Sequence, residues 1–312
     1  MKTALITGVT GQDGHYLSSQ LLNTGYRVFG LFRRTSQSSR IPEGIHPLEG
    51  DVTDASSLFS AMSYAQPDEV YHLAAQSHVH SSFKMPGATF EINAVGTLNV
   101  LETVRRVAPY ARVYNAATSE LYGDTEPPQD EDSLMNPRSP YAVAKHAAYE
   151  LVRLYRDAYN LFACNGILFN HESPLRGDNF VTQKIALGAA RIAWGKQDKL
   201  LLGNLDAERD WGHAEDYVRG MQLMLQHDQP DDYVLATGEK HSVKEFVRMI
   251  FAYFDLDWEK HVEVDPQFIR PAEVPALCGD PTKAERVLGW RRHYGFNELV
   301  RDMANAAWER EK

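Results

Sequence analysis

The apolar run TALIT is followed at once by GVTGQDG, which spaces Gly8, Gly11 and Gly14 evenly ahead of a helical pattern from about Tyr16 to Asn23. Glycines at this spacing let the backbone, here with Thr10, Gln12 and Asp13 between them, come close to a bound pyrophosphate. The amino terminus of the following helix then favours the anion. A strand before the turn and a helix after it are the context that separates such a motif from an ordinary loop. The chain must therefore begin as strand, tight turn and crossover helix.

The rest of the first half repeats that rhythm. YRVFGLF, GIHPLEGD, DEVYHLA, ARVYNA and LFACNGILF read as further strands, and ASSLFSAM, TLNVLETVRRV and SPYAVAKHAAYELVRLYRDAY as helices among them. Strands alternating with helices imply an α/β fold, a Rossmann-type doubly wound parallel sheet with right-handed crossovers. After about Phe169 the rhythm gives way to helical patterns, VTQKIALGAARIAW, AEDYVRGMQLMLQ, SVKEFVRMIFAYF and FNELVRDMANAAW, with short strands between. The expected division is a cofactor-binding domain over 1–169, with a later contribution from about 211–238. A smaller, mostly helical substrate lobe takes 170–210 and 239–312. The cleft between them is the expected active site.

Composition narrows the function. The 312 residues carry a formal net charge of -10, unlike the basic balance of a nucleic-acid binder. A small anionic ligand remains possible, because it needs only local cations. Cys164 and Cys278 make neither a disulfide framework nor a metal cluster, and read as buried, reduced thiols. The opening MKTALITG has too short an apolar run for a signal peptide, and no stretch approaches the roughly 18 apolar residues of a membrane span. A soluble cytoplasmic protein is expected.

At the end of the second strand, LFRRTS places Arg33 and Arg34 where an NAD site usually has an acidic residue for the ribose 2'-hydroxyl. Arginine there accommodates a 2'-phosphate, so NADP is the expected cofactor; two surface arginines would read the same. GDVTD puts Asp51 and Val52 near an adenine ring. LAAQS puts Leu73, Ala74, Ala75, Gln76 and Ser77 against the cofactor's middle, although small residues also simply end strands. In SPYAVAK, Tyr141 and Lys145 are four apart in a helical run and share a face. A phenol titrates at about 10, and a neighbouring ammonium and a nicotinamide cation should lower that value. ATSELYG sets Thr118, Ser119 and Glu120 at the mouth of the strand ARVYNA, where a plain turn is the alternative.

Taken together, these blocks resemble the extended short-chain dehydrogenase/reductase family and, within it, the GDP-mannose 4,6-dehydratases. The similarity runs nearly end to end, through GVTGQDG (departing at Val9), AQSHV, TSELYG, PRSPY, ILFNHESP, GNLDAERDWGHAEDYV, ATGE, HSV and EFV. It implies that Thr118, Glu120, Tyr141 and Lys145 are catalytic, the last two also touching the cofactor, with His171 and Arg176 on the cofactor side. It implies that Asn170, Asn179, Val181, Lys184, Gly203, Arg209, Arg270 and Glu273 face the sugar nucleotide, Arg209 and Arg270 clamping its diphosphate. On residue type alone, His171 is a core or rim histidine, and the two arginines are surface ion-pair partners. The segment between Arg34 and Gly50 is shorter than the family's loop, which helps pack a tetramer, so the expected homo-oligomer is a dimer or a tetramer. Leu175 stands where the family usually has Arg, and the segment before Arg270 is abbreviated.

The implied reaction is NADP-dependent dehydration of GDP-mannose, or of a close nucleotide sugar, to the 4-keto-6-deoxy product. Tyr141 would take the O4 proton as hydride leaves C4, and Glu120 the C5 proton. Water would leave from C6, where the hydride returns, while Thr118 steadies O4 and Ser119 structures the turn. A reductase or 4-epimerase on the same scaffold would not need Glu120. A non-catalytic NADP-binding homologue would not need the four residues together.

Overall fold

The computed structural model describes residues 1–36, 40–268 and 271–312. Strands β1 (Thr3–Thr7), β2 (Arg27–Phe32), β3 (His46–Glu49), β4 (Glu69–His72), β5 (Arg112–Ala116) and β6 (Ala163–Leu168) form one sheet with a seventh strand, Asp232–Leu235. The order runs from the seventh strand through β6, β5, β4, β1 and β2 to β3, and every neighbouring pair is parallel. This is the Rossmann-type doubly wound sheet that the alternation predicts. Its inner strands are apolar on both faces because both are covered: Ala4, Leu5 and Ile6 of β1 are fully shielded. Leu17 and Leu21 of the Gln12–Asn23 helix pack with Met221 and Leu225 of the Ala214–Gln226 helix on one side. On the other side, Leu58, Val100, Val104 and Val152 come from the helices Ala55–Ala65, Gly96–Val107 and Pro140–Tyr159.

Strand order reverses at β1 and β4, so the loops leaving their carboxyl ends diverge and open a crevice. Beyond the sheet, the helices Val181–Ala193, Val243–Tyr253 and Phe296–Glu311 gather around Trp211, Phe246 and Phe296. A parallel pairing of Asn170–Glu172 with Trp211–His213 joins this lobe to the edge of the crevice. No helix among the described residues is long and apolar enough to cross a membrane.

Three elements differ from the sequence pattern. The first helix begins at Gln12 rather than about Tyr16, because its polar first turn adds nothing to the apolar stripe. Short helices at Val79–Lys84 and Pro86–Phe90 and a π-helical turn at Glu91–Val95 run into the Gly96–Val107 helix. Pro86 and Gly87 interrupt the period there. The seventh strand, DYVL, opens on a buried carboxylate, Asp232, which is tolerated because Arg156 and the Tyr149 hydroxyl bind it. Cys278 is only half-buried, whereas Cys164 is fully buried; neither is in a disulfide.

Candidate active site

A cleft of about 1170 Å³ opens between the crevice and the helical lobe. One end is lined by Gly8, Thr10, Gly11, Gln12, Asp13, Gly14, Arg33, Asp51, Val52 and the run from Leu73 through Ala74, Ala75 and Gln76 to Ser77. Gly8 has φ +75°, and a Cβ there would fall 2.7 Å from the Ala74 nitrogen, so only glycine lets the turn and this run approach so closely. No side chain caps the Gln12–Asn23 helix, and its amino-terminal N–H groups are left beside the cleft. This cradle fits a dinucleotide pyrophosphate.

The flanking run is held from below. Ala74 N–H donates to Thr7 Oγ1 at 3.2 Å, and Asn93 on the π-helical turn accepts from Gln76 N–H at 2.8 Å and donates to its carbonyl at 3.0 Å. Asp51 Oδ1 accepts from both the N–H and the hydroxyl of Thr53, each at 2.9 Å. The two arginines part company. Arg33 lines the cleft, whereas Arg34 does not: its side chain is 86% exposed and pairs with Glu49 at 2.9 Å.

Farther in, Thr118, Glu120, Tyr141 and Lys145 are all buried and all line the cleft. Ser139 caps the Pro140–Tyr159 helix, accepting from Ala142 N–H at 3.0 Å, which places Tyr141 and Lys145 in its opening turns. Thr118 caps a 3-10 turn, Ser119–Leu121, accepting from Glu120 N–H at 3.3 Å. Gly123 ends this stretch at φ +59°, where a Cβ would meet the Asn136 carbonyl at 1.9 Å.

Burial above all, with the Thr118 hydroxyl bonded to it working the other way and Glu120 adding to the rise, sets the Tyr141 phenol at about 12. Burial also pulls Lys145 down to about 8. Burial thus raises the phenol of the protein by itself, and the expected lowering falls to the nicotinamide cation together with Lys145. Lys145 Nζ donates to the Ala116 carbonyl at 2.8 Å.

From the lobe come Asn170, His171, Arg176, Asn179, Val181, Lys184, Gly203, Arg209 and Glu273. Asn170 Oδ1 is buried with no hydrogen-bond partner among the described residues, as expected of a group that meets a ligand. Lys184 Nζ lies 3.6 Å from the centre of the Phe268 ring, and burial lowers its pKa. Arg209 is buried and donates to the Glu208 carbonyl at 2.7 Å. Arg176 pairs with Glu172 at 3.0 Å and covers the Phe180 ring at 3.6 Å. Arg270 lies outside the described residues. Sequence reasoning missed His78, Lys84, Phe180, Trp211 and Phe268, which also line the cleft. Phe180 falls between Asn179 and Val181 and was within reach of the sequence pattern; Phe268 carried no signal of its own.

A glycine turn at the switch point of a doubly wound sheet, facing a Tyr-x-x-x-Lys helix, defines a protein of the short-chain dehydrogenase/reductase type. Within that class, the chain belongs to the GDP-mannose 4,6 dehydratase family, which it matches over residues 5–303. It is 51% identical to GDP-mannose 4,6 dehydratase 2 of Arabidopsis thaliana, over 97% of this chain and 86% of that protein. It is 47% identical to GDP-mannose 4,6 dehydratase of Homo sapiens, over 97% of this chain and 90% of that one. Among solved structures, the UDP-glucose 4-epimerase of Thermus thermophilus in complex with NAD is similar with a TM-score of 0.86 and 26% identity, covering 98% of each chain. The epimerase Mth375 of Methanothermobacter thermautotrophicus is similar with a TM-score of 0.89 and 26% identity, over 99% of this chain and 92% of that one.

Proposed function

We infer that this chain dehydrates GDP-mannose to GDP-4-keto-6-deoxymannose with NADP as its resident cofactor. The observation that carries this reading is the buried carboxylate of Glu120, held on a capped turn in the same cleft as Tyr141 and Lys145. NADP, when bound, supplies acceptance of a hydride from C4 of the sugar and its return at C6. The glycine turn would hold its pyrophosphate, the 73–77 run its middle, and Arg33 its 2'-phosphate.

The remaining work falls to side chains. Tyr141 takes the proton from O4, and Lys145 as an ammonium favours the phenolate that this requires. Thr118 donates to O4 and steadies the charge that develops there. The new ketone acidifies the C5 proton, which Glu120 removes and passes to the C6 hydroxyl as it departs as water; the proton that Tyr141 took from O4 then goes to C5 as hydride returns to C6. Arg209 with Arg270 would bind the diphosphate, and Asn170, Asn179, Val181, Lys184, Gly203 and Glu273 the rest of the nucleotide sugar. Cofactor binding would belong to 1–169 with about 211–238, and sugar-nucleotide binding to 170–210 and 239–312. A cytoplasmic homo-oligomer completes the proposal.

The test is incubation with GDP-mannose and a trace of NADP, followed by mass analysis. Loss of one water with no net reduction of cofactor supports the reading. An isomer of unchanged mass would indicate a 4-epimerase, and stoichiometric use of NADPH a reductase.

A further inference from the structure

A buried ion pair beside the glycine turn takes no part in that chemistry. Asp13 sits in the first turn of the Gln12–Asn23 helix and His171 on the strand Asn170–Glu172, and both line the cleft. His171 has both ring nitrogens on acceptors: Nδ1 is 2.8 Å from the Phe169 carbonyl, and Nε2 is 2.9 Å from Asp13 Oδ2. The Phe169 carbonyl only accepts, and Asp13, whose pKa is lowered beside His171, is a carboxylate that only accepts, so each nitrogen carries a hydrogen.

The surroundings fit that assignment. Burial opposes charge on both groups, yet the interaction with Asp13 raises the pKa of His171, and the interaction with His171 lowers that of Asp13. Arg176 repels a charged His171, but it is itself paired with Glu172 at 3.0 Å. Tyr217 stacks on the ring, with centroids 4.6 Å apart. On the adjoining strand Gly212 lies opposite His171, and His213 is turned away toward Asp302 at 3.1 Å. Gln12 donates to the His171 carbonyl at 3.0 Å and accepts from the Ser173 hydroxyl at 2.8 Å, which fixes the helix start against this strand.

A carboxylate in a first helical turn is drawn to that helix's positive end. Here that end is where the cofactor's pyrophosphate would bind. We propose that His171, as an imidazolium, is a positioning residue that neutralises Asp13 and holds its carboxylate out of the anion site. Affinity for NADP then depends on the His171 proton. The inference rests on the NADP reading above.

Calorimetric binding of NADP between about pH 7 and 9 tests it, a range that avoids the cofactor's own phosphate titration at about 6. Because the His171 pKa is raised in the fold, its contribution is present at lower pH and lost as pH rises through that value, so affinity should fall on the alkaline side. Asp13→Asn should remove the share of that fall that belongs to His171 and leave the share of Lys145, whose ammonium is lost at about 8. His171→Gln should weaken binding on the order of tenfold, about 1.4 kcal/mol, and adding Asp13→Asn should restore most of it. Equal weakening by His171→Gln with and without Asp13→Asn would overturn the proposal. Nitrogen-15 spectra of the unmodified protein should show both ring nitrogens protonated at neutral pH; a neutral ring would overturn the proposal even if the variants fail to fold. Failure of the unmodified protein to bind NADP or NAD would instead refute the cofactor assignment, leaving the ring spectra to decide this one.

Discussion

Burying a carboxylate is costly, yet Glu120 is buried at the centre of the cleft. Replacing it with Gln preserves size and hydrogen bonding but removes the base. Product formation should then fall by roughly 100- to 10,000-fold or more. Reduction of NADP in a single turnover should persist, because Tyr141, Lys145 and Thr118 are intact; absorbance of the reduced cofactor, read beside product yield, separates the two steps. Lys145 supplies a pH signature. Burial holds it down to about 8, so its ammonium is lost as pH rises through that value, and kcat/KM should decline there. Lys145→Arg should carry residual activity without that limb. The arginine pair divides as the structure does. Arg33→Ala should bring NADP and NAD affinities together, whereas Arg34→Ala, which removes an exposed pair with Glu49, should leave the preference for NADP unchanged in direct binding measurements.

At the scale of elements, the TSELYG turn shows how much a motif can disclose. Glu120 on the turn and Gly123 at its end were legible in the sequence, whereas the structuring role expected of Ser119 falls to Thr118, which caps the turn. Gly123→Ala should destabilise the protein by about 2 kcal/mol or more, since it adds backbone strain to an unavoidable clash with Asn136. The thermal midpoint, read by calorimetry, should drop, and activity should fall even in the molecules that remain folded. Six of the seven strands of the sheet were legible as apolar-leaning runs bounded by turns; the seventh, Asp232–Leu235, was not, because it opens on a buried carboxylate. Less was legible where support comes from a distant element. Asn93 pins Gln76 from a π-helical turn, and nothing in the local sequence announces that contact. Arg34 looks identical to Arg33 in sequence, because only the three-dimensional path of the chain after β2 sets one at the cleft and the other beside Glu49. The depth of burial that raises the tyrosine's pKa is a tertiary quantity, which residue spacing does not carry.

At the scale of the whole molecule, sheet and lobe meet along one cleft that carries a glycine cradle at one end and cations of the lobe at the other. The chemistry at its centre requires a single cofactor to store and return the same hydrogen, which a reductase or an epimerase on this architecture would not deliver to C6. GDP-mannose carrying deuterium at C4 therefore tests the central claim most directly. The deuterium should appear at C6 of the 4-keto-6-deoxy product within the same molecule, with only trace NADP present. Recovery of the label at C4 of an isomer of unchanged mass, or its accumulation in free NADPH, would contradict it.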